Sequence, residues 1–161
     1  MIIIISGVSG VGKTTIGSFL ADELGWYFYD ADDFHSPANV AKMTFGKPLN
    51  DEDRREWLAK LHNLITESVL DQKSIVLACS ALKQAHREYL CISDRVKIIL
   101  LQADFATIEN RLKLRENHFM STDLLRSQFE TLEPPAANLI ILDASLSPES
   151  LVQQIISSID S

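Results

Sequence analysis

Two cysteines in 161 residues, Cys79 and Cys91, are too few and too far apart for a disulfide framework or a zinc knuckle. Both are expected to be buried free thiols. Basic residues are also scarce: 15 Lys and Arg against 22 Asp and Glu leave a formal net charge of -7. That balance excludes a protein whose affinity comes from neutralising many nucleic-acid phosphates, though not a local basic pocket. No apolar run approaches the ~20 residues of a membrane span. The opening Met1-Ile2-Ile3-Ile4-Ile5 stops at Ser6-Gly7 and carries no charged leader, so neither a membrane nor a nucleic acid is expected as partner, and the location expected is cytoplasmic. With only 6 Gly and 5 Pro, 46% hydrophobic and 23% charged residues, and neither repeats nor low-complexity segments, disordered and fibrous classes drop out. The length suits one domain, residues 1–161, of a size that buries roughly 68–70% of its unfolded surface.

What is present alternates. Residues 2–6 form a short β-branched apolar run, the pattern of a parallel strand covered on both faces. After a glycine-rich turn, Ile16, Phe19, Leu20 and Leu24 recur at helical spacing, and Gly25 closes the segment. Residues 26–29 read as a second strand, ending on the acidic cluster Asp30-Ala31-Asp32-Asp33. Ser36-Pro37 opens a short helix to about Thr44, and Asn50 caps a longer one with acidic residues in its first turn. Strands follow at residues 74–79, 96–101 and 139–142, and helices at 81–90, from Phe105 to Leu112, at 123–132 and after Ser147-Pro148. Five strands alternating with helices predict an α/β fold, a three-layer doubly wound parallel sheet.

Gly7-Val8-Ser9-Gly10-Val11-Gly12-Lys13-Thr14 fits the Walker A pattern, and it lies where that pattern acts, between a strand and a helix. The glycines let successive N–H groups turn toward a phosphate, and the start of the helix adds its partial positive charge. Lys13 is expected to reach the β- and γ-phosphates of ATP, and the Thr14 hydroxyl to coordinate Mg2+. Thr15 completes the expected nucleotide-binding set. No Asn-Lys-x-Asp segment of a guanine-specific switch is present, so the acceptor side must decide the reaction. Phosphoryl transfer to an alcohol uses one carboxylate to orient the metal's water shell and another to take the hydroxyl proton. Asp30 and Asp32, two apart at a strand end, suit those two roles. Lys83 and Arg87, four apart after the third strand, suit an anionic group on the acceptor, with Arg54 and His35 as further candidates for the same pocket.

The Walker loop, the run Asp30-Ala31-Asp32-Asp33-Phe34-His35, Pro48-Leu49-Asn50-Asp51, Cys79-Ser80-Ala81-Leu82-Lys83 with Arg87, Arg111-Leu112, and Gln128-Phe129-Glu130-Thr131-Leu132-Glu133 occur in one order along the chain. Together they resemble the gluconokinases, small P-loop kinases akin to shikimate and adenylate kinases, over essentially the whole chain. The resemblance implies transfer of the γ-phosphoryl group of ATP to the 6-hydroxyl of D-gluconate, a five-stranded P-loop kinase fold with a mobile lid at about residues 115–122, and a homodimer. It also implies that Arg111 packs against the adenine and that Arg115 reaches the phosphates as a catalytic residue. Asp33 departs from relatives with an apolar residue there, which leaves open which aspartate meets the acceptor. A shikimate or nucleoside monophosphate kinase, or a non-catalytic nucleotide switch, is the alternative; only an enzyme would release ADP faster on addition of one acceptor.

Overall fold

A computed structural model describes residues 1–114, 122–134 and 139–160. Its elements run β1 (Ile2–Ser6), α1 (Lys13–Leu24), β2 (Tyr27–Asp30), a 3-10 turn (Ala31–Phe34), α2 (Pro37–Thr44), α3 (Asp51–Leu70), β3 (Ile75–Ala78), α4 (Gln84–Leu90), β4 (Val96–Gln102), α5 (Phe105–Lys113), α6 (Thr122–Thr131), β5 (Ile140–Asp143) and α7 (Pro148–Asp160). The strands form one parallel sheet in the order β2-β3-β1-β4-β5. This is the expected five-stranded α/β architecture.

Alternation along β1 builds the layers, because successive side chains of a strand point to opposite faces. Ile3 and Ile5 join Ile16 and Leu20 of α1 and Val152 and Ile155 of α7 in one core. Ile2 and Ile4 join Trp57, Leu61 and Ile65 of α3 and Leu90 of α4 in the other. All four isoleucines are fully buried, which is why this strand reads as a continuous apolar run. The register sets Asp30 beside Ala78, Ala78 beside Ile5, and Ile5 beside Ile99, so the carboxyl ends of four strands share one edge. Open parallel sheets bind ligands at that edge, next to the central strand where the order reverses.

Local chemistry fixes the helix starts. The Ser36 side chain accepts from the Asn39 N–H at 3.1 Å, with Pro37 at the first helical position. Asn50 and Asp53 form a reciprocal capping box at 2.8 and 2.9 Å. Such caps are worth about 1 kcal/mol each.

Three expectations change. The second strand, expected at residues 26–29, starts at Tyr27 and takes in Asp30, and the rest of the acidic cluster winds into the 3-10 turn. The helix expected at residues 81–90 begins only at Gln84: Ala81 adopts a left-handed φ of 41°, and Lys83, at φ -101° and ψ 146°, is the extended N-cap. Cys79 is buried as expected, but Cys91 is exposed at the end of α4.

Candidate active site

The phosphate end grows out of β1. Gly7 has φ 139°, and a Cβ there would lie 2.7 Å from the Leu101 carbonyl oxygen, so the loop can turn against β4 only with glycine. Gly12, at φ 108°, is the residue from which α1 begins. The free N–H groups of the first turn therefore face the loop's interior. The Lys13 ammonium donates to the carbonyls of Gly7 at 2.9 Å and Val8 at 3.0 Å, which holds it over the same loop. Thr14 and Thr15 are exposed in the first turn of α1. On the flank toward β5, Arg111 donates to the Ala144 carbonyl at 2.7 Å and more weakly to that of Val11 at 3.4 Å.

The acceptor end is built by the 3-10 turn and the start of α3. Thr14 donates to Asp30 Oδ2 at 2.8 Å, and Asp30 Oδ1 accepts the Asp32 N–H at 2.9 Å. The Asp32 carboxyl titrates above its ordinary value: desolvation by the cleft walls raises it, opposed by Lys13 and reinforced by Asp30 and Asp33. The side chain keeps 69% of its accessible surface, so this desolvation comes from the surrounding walls and not from direct cover.

His35 is different. Its side chain is 4% accessible, and its ring stacks on Trp57 with centroids 4.4 Å apart. Burial first, then the Arg54 charge, lowers its pKa to about 4, with Asp30 opposing, so the ring is neutral at pH 7. Asn39 fixes the tautomer: its Nδ2 donates to the Asp53 carbonyl at 2.7 Å and faces His35 Nδ1 at 3.4 Å. That leaves the proton on Nε2, which looks toward Asp32 Oδ1 at 3.9 Å. Trp57 is held in turn by its indole N–H on the Ala31 carbonyl at 2.7 Å.

Lys13, Asp32, His35 and Arg54 line one cleft, between the phosphate loop, the 3-10 turn and the start of α3. Arg54 is 14% accessible and donates to Asp51 Oδ1 at 3.2 Å; Lys83 donates to the same oxygen at 2.7 Å. Two cations thus share one carboxylate, which titrates below its usual range chiefly because of Lys83. Lys83 reaches the site only through this pair.

Arg87 does not enter the cleft. Its side chain is fully buried, and its guanidinium donates to the carbonyls of Ala81, Leu82 and Glu133 at 2.9–3.1 Å. The expectation that it meets the acceptor is corrected: Lys83, the N-cap of α4, turns out to Asp51, whereas the Arg87 guanidinium is taken up by buried carbonyls. Arg115 and the greater part of the expected lid lie outside the described residues.

Neither Trp57 nor Gln128 is assigned a role in the site by the sequence alone. Gln128 Oε1 accepts the Ser9 N–H at 2.7 Å and lines the cleft, a contact across 119 residues that no local pattern announces. The only signal for it is the ordered segment from Gln128 to Glu133.

The shikimate kinase family pattern matches residues 9–160. The chain is 41% identical over 178 residues to a probable gluconokinase from Xenopus tropicalis, covering 99% of this chain and 94% of that protein. It is 40% identical over 157 residues to a gluconokinase from Gluconobacter oxydans, covering 96% and 88%. Among solved structures, a gluconokinase from Sinorhizobium meliloti superposes with a TM-score of 0.85 at 33% identity, covering 96% of this chain and 89% of that one.

Proposed function

Because the chain belongs to the shikimate kinase family and within it to the gluconokinases, we propose that its cleft transfers the γ-phosphoryl group of ATP to the 6-hydroxyl of D-gluconate. The products are 6-phosphogluconate and ADP. The observation that carries the reading onto this site is an ordered row of charges and dipoles. Lys13 is electrostatically coupled to Asp32, Asp32 faces His35, and His35 feels Arg54. A linear acceptor with a hydroxyl at one end and a carboxylate at the other matches that row, hydroxyl toward Asp32 and carboxylate toward Arg54.

Asp32 takes the hydroxyl proton, and its raised pKa brings its basicity closer to the working pH. Lys13 and the first turn of α1 hold the phosphate charge. Thr14 and Asp30, hydroxyl and carboxylate in contact, are the hard oxygen donors that suit Mg2+ and would hold it. The ion, when bound, neutralises charge on the phosphates. Asp30 also orients Asp32 through the latter's N–H. Neutral His35 adds no charge beside Asp32, and with Trp57 it forms a flat wall for the carbon chain. Arg111, on the flank of the loop, is read as the adenine contact.

The reading includes a homodimer and a cytoplasmic location, as the family resemblance and the composition imply; light scattering on the purified chain tests the first. Activity is tested by coupled ADP release across gluconate, shikimate, glycerate and nucleoside monophosphates. Release should rise sharply with gluconate alone. Slow hydrolysis indifferent to all four would sink the proposal.

A further inference from the structure

We propose that Arg87 is a positioning residue that sets the acceptor wall of the cleft by clamping the loop after β3 to the end of α6; this rests on reading the cleft as the acceptor site. Arg87 is 1% accessible, and no ion pair takes its charge among the described residues. A buried cation is costly unless hydrogen-bonded, so its partners show what holds it there. They are carbonyls. Nε donates to Ala81 at 2.9 Å, and Nη2 donates to Leu82 at 3.1 Å and to Glu133 at 3.0 Å. Glu133 closes the clamp from its side: its N–H donates to the Leu82 carbonyl at 2.8 Å, and its Oε1 accepts the Gln84 N–H at 2.8 Å.

The clamped loop is not relaxed. Ala81 is buried at φ 41°, a conformation that costs a non-glycine residue energy and persists only when its surroundings over-determine it. The Nε contact to the Ala81 carbonyl is such a determinant. Both clamped segments also reach the phosphate loop. Ser80 accepts the Gly7 N–H through its carbonyl at 3.2 Å, and Gln128 accepts that of Ser9. Ser80 and Leu82 line one side of the cleft, and Gln128 and Thr131 contribute from α6. Arg87 touches none of the space an acceptor would fill, yet it fixes the spacing of the residues that do. A planar fork with fixed donor directions makes three such contacts at once, which the single ammonium of lysine does not.

The test compares the full-length wild type with Arg87→Lys, Arg87→Ala and Glu133→Ala, recording KM for gluconate, KM for ATP and thermal midpoint. Losing buried charge-assisted hydrogen bonds should raise the gluconate KM of Arg87→Lys about 10-fold or more, with a clearly smaller rise in the ATP KM, since the clamp reaches the phosphate loop only through Ser80 and Gln128. Millimolar guanidinium chloride should partly restore gluconate KM in Arg87→Ala, whose cavity it fits, and not in Arg87→Lys. A purely structural role would lower the thermal midpoint and leave the gluconate KM of folded enzyme unchanged; that result, or equal rises in both KM values, overturns the clamp. Should Arg87→Lys not fold, Glu133→Ala carries the test, since it removes the side-chain half of the clamp and leaves the arginine in place. Its gluconate KM should rise by at least about threefold, and an unchanged value overturns the proposal. A wild type that releases no ADP on gluconate fails differently, because it overturns the reading of the site itself and the clamp with it.

Discussion

The Thr14 hydroxyl donates a 2.8 Å hydrogen bond to Oδ2 of Asp30, joining the first turn of α1 to the end of β2 across the mouth of the phosphate loop. Asp30→Asn keeps the shape of that contact and removes the charge a divalent cation needs. Losing even an outer-shell partner of a metal commonly costs about 10- to 100-fold in affinity, so the Mg2+ concentration for half-maximal activity should rise by at least about 10-fold. Titrating activity with Mg2+ at fixed ATP reads it directly. An unshifted curve would remove Asp30 from the metal site.

Lys13→Ala should lower kcat by at least about 10²-fold, the scale seen when one preorganised donor to developing charge is deleted. Circular dichroism should be unchanged, since the ammonium rests on loop carbonyls and not in either core. Wild-type turnover in this variant at saturating ATP and Mg2+ would contradict the role given to the loop.

Asp32→Asn should retain ATP binding and lose most of kcat, whereas Asp33→Asn should be mild. The pH profile gives an independent check. A base must be deprotonated, and the Asp32 pKa is raised above 3.8, so kcat/KM should fall with acidification at a pH above the ordinary aspartate value. Asp32→Asn should abolish that limb. A severe Asp33→Asn with a mild Asp32→Asn would reassign the base.

The phosphate end was legible in the sequence because its chemistry is local: glycines, lysine and threonine act within one turn of where they stand in the chain. Alternation of strands and helices gave the sheet for the same reason, since burial on both faces leaves a continuous apolar run such as Ile2–Ser6. The acceptor side was legible only in part. Arg87 and Arg54 are both arginines near acidic residues in sequence, yet one is buried on carbonyls and the other lines the cleft. The difference is local geometry around the start of α4: Ala81 is left-handed, Lys83 is an extended N-cap, and Arg87 in the first turns of the helix folds back onto the carbonyls of Ala81 and Leu82. Alanine at φ 41° has no sequence signature. Nor has the pairing of Gln128 with Ser9, which exists only once α6 has docked.

His35 makes stability depend on pH in a defined direction. Its folded pKa is lowered from 6.5 to about 4, so its contribution is fully present above pH 6.5 and is lost as pH falls from there through about 4. The shift corresponds to about 3 kcal/mol at most. Asp32 acts oppositely, because its raised pKa favours the folded state at lower pH. The comparison must therefore be between wild type and His35→Phe, which keeps a ring on Trp57 and cannot titrate. Urea unfolding at pH 7 and pH 4.5 should show a smaller loss for the variant; identical losses would mean that His35 is charged in the folded protein.

The carboxylate of the acceptor is assigned to Arg54, the cation that lines the cleft beside His35 and Trp57. Its guanidinium already spends one edge on Asp51, at 3.2 Å, and Lys83 sits on the same oxygen at 2.7 Å. Lys83 thus draws on the charge of Asp51 and leaves Arg54 more of its own for an incoming anion. A lost charge-assisted hydrogen bond costs ~1.5 to 3 kcal/mol, or roughly 10- to 150-fold in kcat/KM. Arg54→Ala should show a loss of that order with gluconate. Sorbitol, which offers hydroxyls but no carboxylate, should be a poor substrate for the wild type and lose far less in the variant. Lys83→Ala should act in the same direction and more weakly, because it frees Asp51 to neutralise Arg54 without removing the arginine. Equal losses for gluconate and sorbitol in Arg54→Ala would place the carboxylate elsewhere and leave Arg54 as a support for α3 alone.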